Sequence, residues 1–441
     1  MPVSIRRLCI CFAWEIAVLW PIYVGGLLCV KGFSYAADCF IGLLYWQVRA
    51  ICIILFAAFV PLSRCAYICG AGKFLKNRYY MKKFFFLVLA TFLLVGCGGP
   101  VFRNPLGVKF GDPFVLRASD GKFYMYGTGG VANGFRACVS EDLVNWSEAG
   151  VVYNGDSSKW AKDCFWAPEV YERDGRFYMF FSANWRENPQ GDDEVFRIGV
   201  AVADSPLGPF RDLYDRPVFD PGYPIIDANV LWDDDGRVYL YYSRCCYKHP
   251  VESELSEWAR NESLFSEIEE SWVYGVEMKP DFSGVIGEPV ALLAPPASVS
   301  DPQAAWESRS VTSGEVNRRW TEGSFAFKKN GTYYMMYSAN FYGGKHYAVG
   351  YATAGSPLGP FVKSAANPVL EKNIDKGGEV TGTGHCMMLE VPGKGMFCVY
   401  HGRTALTGDE RVVFIDRMNI TPDGALKVNG PTTTPQSLPL D

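Results

Sequence analysis

The chain has 441 residues, a formal net charge of −5 and 49% hydrophobic residues. This length can form one large core or two modest domains. The charge is unevenly distributed, because residues 1–96 hold ten Lys and Arg but only two Asp and Glu, which leaves a net charge of −13 for residues 97–441. A nucleic-acid-binding protein would present a basic face, so the acidic body argues against that class. Seven of the 14 cysteines also lie in the first 80 residues, so the two parts of the chain differ in composition as well as in charge.

The segment that begins at Met81 combines three features in a fixed order. Met81-Lys82-Lys83 is followed by the apolar run Phe84 to Val95, and Leu94-Val95-Gly96-Cys97 closes the segment. A short basic region, an apolar run too short to span a membrane comfortably and a small residue before cysteine resemble a bacterial lipoprotein signal peptide. The alternative is a signal-anchor helix with an incidental cysteine.

The resemblance to a lipoprotein signal implies a particular processing and location. Residues 81–96 would be removed, Cys97 would carry the lipid, and residues 97–103 would form a tether. The protein would then be exported and anchored by Cys97 in the bacterial outer membrane, on its periplasmic or cell-surface face. Residues 1–80 contain no motif, so we interpret them as an over-extended N-terminus upstream of a true start at Met81. The competing interpretation is a membrane-inserted leader.

From residue 104 onward the chain repeats itself, and repeats carry strong information about fold. Four copies align without gaps and a fifth, which begins at His385 and ends at Gly395, is looser; the four are Asp112 to Gly121, Trp166 to Gly175, Asp227 to Gly236 and Glu322 to Gly331. Each aligned copy ends in Asp-Gly or Asn-Gly, which suits the positive φ angles of a tight hairpin turn. An aromatic or aliphatic run follows every turn, so each copy predicts a strand, a turn and a strand.

The spacing of the repeats predicts the architecture. The five turn glycines are 54, 61, 95 and 64 residues apart, which leaves room each time for a four-stranded antiparallel blade. Five blades arranged radially form a β-propeller, so we predict an all-β, five-bladed propeller over residues 104–441. A β-sandwich would also show many short strands, but five copies in one register without linkers fit it less well.

The third interval is the longest and contains an acidic, Glu- and Ser-rich patch around Glu252–Glu270. The patch predicts an inserted loop or short helix over one face of the propeller, and the simpler interpretation is a solvated surface excursion. An insertion between Arg244 and Tyr274 would tend to close one side of a central site. It therefore favours a pocket over an open cleft.

Three of the repeats begin with an acid. Asp112, Asp227 and Glu322 each lie nine residues before their hairpin glycine. The first strand of every blade lines the central axis of a propeller, so we expect these three acids to converge at one end of the channel. Like charges at short range raise one another's pKa, and paired carboxylates flanking a bond are the usual groups for glycoside hydrolysis.

The motifs around these acids resemble those of glycoside hydrolase family 43, five-bladed propeller enzymes that act on arabinose- and xylose-containing polysaccharides. The resemblance spans about residues 103–432. Gly111-Asp112-Pro113-Phe114 is similar to the general-base motif, Ile226-Asp227-Ala228-Asn229 to the pKa-modulator motif and Thr321-Glu322-Gly323-Ser324 to the general-acid motif. Ser324 departs from the proline that many members have there, which does not affect the acid itself.

The resemblance implies an inverting, single-displacement hydrolysis. Asp112 would act as the general base, Glu322 as the general acid, and Asp227 would raise the pKa of Glu322. No cofactor is required for this chemistry. An inverting site separates the base and the acid by roughly 6.5–9.5 Å.

Further candidate residues follow from the same motifs. Trp166-Ala167-Pro168-Glu169 resembles a segment that forms a wall of the pocket, with Glu169 interpreted as structural. His385 is expected to face the axis, where family members often hold calcium or a water cluster; the ordinary alternative is a core or rim histidine. His401-Gly402-Arg403 resembles the segment that presents an arginine to the sugar. The candidate substrate-binding residues are therefore Trp166, Phe114, Asn229, Phe341 and Arg403.

The sequence thus predicts a monomeric enzyme acting on plant cell-wall glycans, without nucleic-acid partners. We expect an exo-acting α-L-arabinofuranosidase, with β-xylosidase or endo-1,5-α-L-arabinanase activity as alternatives within the family. A retaining fructosidase is disfavoured because its Asn-Asp-Pro and Arg-Asp-Pro motifs are missing. A noncatalytic glycan-binding propeller is an alternative from another class. The six cysteines of the body beyond Cys97 are predicted to be mostly free, buried thiols.

Overall fold

A computed structural model describes residues 101–191 and 193–440. The expectations for the leader, the signal peptide and the lipid-bearing Cys97 concern residues outside this range. None of the helices in the described ranges has the length and apolarity needed to cross a membrane. The propeller occupies the compact unit Gly99–Asp441.

Five four-stranded antiparallel sheets form the propeller, which confirms the predicted fold. Blade one contains β2 (Gly111–Arg117), β3 (Phe123–Thr128), β4 (Gly134–Ser140) and β5 (Ser147–Asn154). Blade two contains β6 (Trp166–Arg173), β7 (Arg176–Asn184), β8 (Phe196–Ala203) and β9 (Arg211–Asp212). Blade three contains β10 (Ile225–Trp232), β11 (Val238–Arg244), β13 (Trp272–Met278) and β14 (Val285–Leu293). Blade four contains β16 (Thr321–Lys329), β17 (Thr332–Ala339), β18 (Ala348–Ala354) and β19 (Val362–Lys363). Blade five contains β20 (Val380–Val391), β21 (Gly395–Thr404), β22 (Val412–Ile420) and β23 (Leu426–Val428).

The remaining elements are short. Two-residue strands form two small sheets: β1 (Val101–Phe102) pairs with β24 (Gln436–Ser437), and β12 (Glu269–Glu270) pairs in parallel with β15 (Arg318–Arg319). The helices are α1 (Glu254–Asn261), α2 (Ala304–Glu307) and α3 (Arg309–Thr312), and 3-10 turns cover Gly155–Ser157 and Ile374–Lys376.

The long third interval forms a small packed unit. α1 buries Leu255 and Ala259 against Ile268 and Val311, so the insertion has an apolar core of its own. Its two-stranded sheet also holds a buried ion pair between Arg319 and Glu270. The predicted short helix is present, and this packing distinguishes the insertion from a purely solvated excursion.

The two ends of the propeller chain meet beside blade five. Asn104, which is buried, donates from its side chain to the carbonyl of Ile415 (2.9 Å) and accepts from the amide of Ile415 (3.0 Å). Next to it, β1 pairs with β24. Because blade five consists entirely of consecutive strands, these contacts hold the N-terminal segment against the last blade.

The hairpins that end the innermost strands have two different lengths. Blades two and four use two-residue turns, Asp174-Gly175 and Asn330-Gly331, in which both residues have positive φ. Blades one and three carry one more residue, since Ala118 pairs with Lys122 and Asp233 with Arg237 around three-residue loops. Counting back from the turn glycine therefore does not reach equivalent positions in all blades.

The thiol prediction is confirmed for the described body. All six cysteines are free, and five are buried: Cys138, Cys245, Cys246, Cys386 and Cys398. Cys164 is half-buried. Burial raises the pKa of the Cys246 thiol, so these groups behave as small apolar side chains.

Candidate active site

Each innermost strand contains a β-bulge near its start, and the bulge turns one residue of the strand toward the channel. One residue in each bulge adopts a positive φ: Asp112 (51°), Ala167 (46°), Asp227 (59°), Gly323 (55°) and His385 (45°). Bulges of this kind redirect a side chain and interrupt the ladder. The five bulges thus build one ring of positions around the axis.

The backbone amide of every bulge residue donates to a side chain of the preceding blade. The acceptors stand at equivalent points of the second strands, at distances of 2.7–3.2 Å: Thr128, Ser182, Ser243, Ser338 and His401. A bulge frees an amide from the ladder, and a buried amide requires a partner. Four hydroxyls and one imidazole therefore fix the bulges and join neighbouring blades.

This ring corrects the register inferred from the repeats. Asp112 and Asp227 occupy the bulge position itself, whereas Glu322 lies one residue earlier, where it pairs with Ser338. His385, expected one residue away from the register, shares the bulge position with the two aspartates. The cause is the extra hairpin residue in blades one and three. The correction leaves the convergence of the acids intact.

Asp112 is surrounded by nitrogen donors. Arg411 donates to Asp112 Oδ1 at 2.8 Å, and the Nδ1 of His385 lies 3.3 Å from the same oxygen. Burial favours the neutral carboxyl, but Arg411, His385 and His401 together outweigh burial and hold the pKa of Asp112 well below its usual range. Gly111 makes this possible, since a Cβ there would lie 2.0 Å from Cζ of Arg411.

Glu322 is in the opposite electrostatic situation. It is buried, and Tyr347 donates to its Oε1 at 2.9 Å. Burial and the charge of Asp227 raise the pKa of Glu322 well above its ordinary value. The site therefore favours an ionised Asp112 and a protonated Glu322.

Opposing influences act on the pKa of Asp227, the third acid of the site. Its Oδ2 accepts from the amide of Gly323 at 3.1 Å and from the hydroxyl of Ser243 at 3.3 Å. Burial raises the pKa of Asp227, while the charge of His385 lowers it. Because Asp227 accepts two hydrogen bonds and Glu322 accepts one, the shared proton resides on Glu322.

The structure separates the expected sugar-binding residues into two groups. Trp166 is half-buried and stacks on Phe196 with ring centroids 4.3 Å apart, and Phe341 is also half-buried, so both keep an accessible surface. Phe114 is 5% exposed and packs against Tyr171 (5.3 Å) in the core, so its contact with a sugar stays a prediction that its surroundings do not support. The Phe114 ring also lies 6.5 Å from the ring of Phe325 in blade four, so it packs among rings of other innermost strands.

The sugar contact expected of Asn229 also stays a prediction, and the structure gives its side chain other partners. It is buried, and its amide donates to Glu169 Oε2 (3.0 Å) while its oxygen accepts from the amide of Ala326 (2.9 Å). Both ends of the side chain therefore join neighbouring blades. Glu169 is structural, as expected, because Asn229 and Tyr171 both donate to it.

Arg403 is largely buried and donates to two carbonyls at the rim, those of Asp409 (3.0 Å) and Tyr342 (2.9 Å). Its contact with a sugar stays a prediction. His385 faces Asp112 rather than a set of oxygen ligands. Within residues 101–191 and 193–440 no three His, Cys, Asp or Glu side chains are grouped to hold a metal ion. Since Ca²⁺ prefers several oxygen ligands, these residues do not fit a protein-built calcium site.

The buried Glu169 leads to a prediction about stability. Burial raises the pKa of Glu169 to about 8, against an ordinary value of 4.5. The folded state keeps this proton while the unfolded chain releases it, so stability falls as the pH rises from about 4.5 to about 8. We expect Glu169→Gln to remove this loss. Between pH 5 and pH 8, the free energy of unfolding of the variant relative to that of the parent should rise by on the order of 4 kcal/mol.

Thermal unfolding of the parent and of Glu169→Gln at both pH values measures this difference. Glu169→Ala is the matched control, because it abolishes the hydrogen bonds to Asn229 and Tyr171 at both pH values. It should be destabilised throughout. A constant difference between Glu169→Gln and the parent would contradict a protonated Glu169.

Several site residues were not anticipated from the sequence. Arg411 is 299 positions from Asp112 and belongs to no repeat motif, so only the closed ring reveals their pairing. Tyr347 also lies outside the repeat motifs. The hydroxyl acceptors do carry a signal, because Thr128, Ser182, Ser243 and Ser338 each stand five residues after the first residue of an aligned return run.

The fold and the site together define a class. A five-bladed propeller whose channel ends in three carboxylates, two of them buried, with one favoured as ionised and one as protonated, has the arrangement of an acid–base glycoside hydrolase. The family of glycosyl hydrolases 43 matches residues 102–426, and the chain belongs to this family. The protein is therefore an O-glycosyl hydrolase, and the family's chemistry requires no cofactor.

Curated relatives and solved structures agree with this assignment. A xylosidase/arabinosidase of Bacteroides ovatus is 30% identical over 278 residues, covering 58% of this chain and 77% of the relative. A β-D-galactofuranosidase of Aspergillus niger is 26% identical over 348 residues, covering 75% and 84%. A thermostable family-43 glycoside hydrolase of known structure is 36% identical, with a TM-score of 0.65 and coverage of 77% and 99%.

Proposed function

We propose that the protein is an exo-acting, inverting glycosidase that removes terminal arabinofuranose from plant cell-wall glycans. The observation that carries the mechanism is the opposite protonation preference of two carboxyl groups in one site. Arg411 keeps Asp112 ionised, and burial beside Asp227 keeps Glu322 protonated.

In this mechanism Asp112 removes a proton from a water molecule as the water oxygen bonds to the anomeric carbon. Glu322 gives its proton to the glycosidic oxygen as the bond to the anomeric carbon breaks. In one step, the water oxygen therefore bonds to one face of the anomeric carbon while the glycosidic oxygen departs from the opposite face, which inverts the configuration. The proton held by Asp112 then passes to solvent, and Glu322 is reprotonated. We expect a base–acid separation of roughly 6.5–9.5 Å.

Asp227 acts on Glu322 rather than on the substrate in this proposal. Its negative charge beside Glu322 raises the pKa of that acid. Its hydrogen bond from the amide of Gly323, the residue after Glu322, holds the bulge of blade four in place. Asp227 is thus a positioning and charge-tuning residue.

The ion pair between Arg411 and Asp112 predicts a change in the pH profile. Replacing Arg411 by methionine removes the charge that lowers the pKa of Asp112, so this pKa should rise. The acidic limb of the kcat/KM profile should then move to higher pH by about 1–3 units. Measuring kcat/KM between pH 3 and 9 tests this result. Arg417→Met, which removes an arginine lying over Phe397 instead, should leave the limb in place.

Two relatives and one insertion support the proposed sugar specificity and mode of cleavage. The Bacteroides relative is named a xylosidase/arabinosidase, and the Aspergillus relative acts on β-D-galactofuranosides according to its name. The insertion between β11 and β13 supports exo action, because it adds a wall on one side of the site. The alternatives are β-xylosidase and endo-1,5-α-L-arabinanase activity.

Hydrolysis assays separate these alternatives. The 4-nitrophenyl glycosides of α-L-arabinofuranose, β-D-xylopyranose and β-D-galactofuranose test the sugar, and linear and branched arabinan test the mode of cleavage. Release of monosaccharide from α-L-arabinofuranosides supports the proposal, and release of oligosaccharides from linear arabinan supports endo action. Proton NMR of the first product tests inversion. A noncatalytic glycan-binding role requires binding without hydrolysis of any of these substrates.

We also propose that the protein is exported and anchored through a lipid on Cys97, on the basis of the lipobox Leu94-Val95-Gly96-Cys97. The lipid would place the propeller at the outer membrane, close to polymeric substrate, as a monomer. Expression of the parent and of Cys97→Ala from Met81, with labelled palmitate, tests the anchor. Label in the parent alone supports lipidation, and equal or absent label in both rejects it.

A further inference from the structure

A cavity of about 460 Å³ opens beside blade three, apart from the three acids. Its lining contains two tyrosines and balanced charges, with the basic residues Arg244, Lys248 and Arg318 and the acidic residues Asp193, Glu194 and Glu269. A balanced lining does not select a strongly charged ligand. It does present many hydrogen-bonding groups in a small volume.

The cavity lies at the same end of the propeller as the acids. Arg244 ends β11 and pairs with Ile225, two residues before Asp227. Arg318, which also lines the cavity, is four residues before Glu322. Tyr247 packs on Trp320 with ring centroids 5.7 Å apart, in one apolar cluster with Ile226. This cluster adjoins both, because Ile226 precedes Asp227 and Trp320 lies two residues before Glu322.

The groups in the cavity are held in place by their neighbours. Glu269 accepts from Arg318 at 2.8 Å and from the amide of Lys248 at 2.9 Å. The Arg318 guanidinium lies over the ring of Tyr247, at 4.8 Å. Such ordered side chains lose little entropy when a ligand binds.

Arg244 differs from the other basic residues of the cavity. Its guanidinium lies 4.3 Å from the ring centroid of Tyr223, and in residues 101–191 and 193–440 no carboxylate pairs with it. Its Nε and the Oε2 of Glu194 both lack a hydrogen-bond partner among the described protein atoms. One is a donor and the other an acceptor. Both residues line the cavity, where a sugar hydroxyl can accept from the Arg244 guanidinium and donate to the Glu194 carboxylate.

We propose that this cavity is a distal subsite that binds a neutral pentose unit of the glycan chain, beyond the sugar that is cleaved. Arg244 and Glu194 hydrogen-bond the hydroxyls of this unit, and the stacked tyrosines hold the two arginines in position. The inference rests on the proposed function and extends it, because it makes substrate length a determinant of affinity. Short aryl glycosides do not reach the cavity.

The test compares Arg244→Ala with Arg237→Ala. Arg237 immediately precedes the other end of β11 and also lies over a tyrosine, Tyr239 at 5.6 Å, which makes it a matched control. KM is measured for a 4-nitrophenyl monosaccharide and for arabinopentaose and xylopentaose. Arg244→Ala is expected to raise KM for a pentasaccharide about tenfold, the loss of one charge-assisted hydrogen bond, and to leave the aryl glycoside within about twofold.

Two results would overturn the subsite. Equal KM values for Arg244→Ala and Arg237→Ala on the pentasaccharides would show that the cavity does not bind the chain. An equal loss on aryl glycoside and pentasaccharides would show that Arg244 only supports the catalytic site. Melting temperatures of Arg244→Ala and Arg237→Ala identify a folding defect. Arg244→Lys, which retains the positive charge, is measured beside them. If Arg244→Ala does not fold, Arg244→Lys takes its place in the comparison.

A binding experiment keeps this inference distinguishable from the proposed function. Calorimetric titration of Glu322→Gln and of Glu322→Gln/Arg244→Ala with the two pentasaccharides measures affinity without turnover. A tenfold larger dissociation constant in the double variant than in Glu322→Gln supports the subsite even if the aryl glycosides are not hydrolysed. No binding of either pentasaccharide by Glu322→Gln rejects the subsite.

Discussion

Glu322→Gln is expected to lower kcat on natural glycans by about 10²–10⁴-fold, the usual contribution of a general acid. The amide keeps the shape of the side chain and can still accept from Tyr347, but it carries no transferable proton. The defect should depend on the leaving group. The 2,4-dinitrophenolate of an aryl glycoside departs without protonation, so the variant should hydrolyse such a substrate at a rate much closer to that of the parent.

A comparison of arabino-oligosaccharides with 2,4-dinitrophenyl and 4-nitrophenyl glycosides measures this dependence. Glu141→Gln, at a side chain that is 81% exposed, is the matched control and should match the parent on all of them. A defect of the same size on every substrate would assign another role to Glu322. Parent-like turnover of oligosaccharides would remove it from the mechanism.

Asp112→Asn is expected to cause a loss of similar size, about 10²–10⁴-fold, but one that does not depend on the leaving group. Asparagine cannot accept the proton of the attacking water, and that proton must be removed whatever group departs. The loss should therefore be equal for activated and unactivated glycosides. It should also appear in kcat, since the substitution leaves the distal contacts of the substrate in place.

The same substrate series tests this prediction. Asp204→Asn, at a side chain that is 92% exposed, serves as the control. Proton NMR of the parent's first product completes the test, because a product that retains its configuration would exclude Asp112 as the base of a direct attack by water. Turnover by Asp112→Asn within tenfold of the parent would have the same consequence.

The repeats predicted the blades well because their signals are local. Asp-Gly and Asn-Gly form hairpins through the conformations of their own backbones, and aromatic runs form strands beside them. The same local signal misplaced the register by one residue. A three-residue loop in blades one and three replaces the two-residue turn of blades two and four, and the extra residue is visible only when the strands are paired.

The individual site residues show where prediction from the chain stops. Asp112, Asp227 and Glu322 were found from repeat positions and motif resemblance, and the structure brings them into one buried site. Phe114 and Asn229 occupy the same motifs but face the core and the neighbouring blades. Adjacent residues of one strand point to opposite sides, so a motif alone does not say which of its members reaches the substrate.

The sequence by itself determined the number of blades, the chain position of each hairpin and the three acids, because these depend on turn residues, strand-forming runs and their spacing. Only the tertiary structure decided the protonation preferences of the acids. These depend on burial and on Arg411 and His401, which reach Asp112 from 299 and 289 positions away when the ring closes. The cavity beside blade three likewise exists only once an insertion has packed against a neighbouring blade, since its walls come from separate parts of the chain.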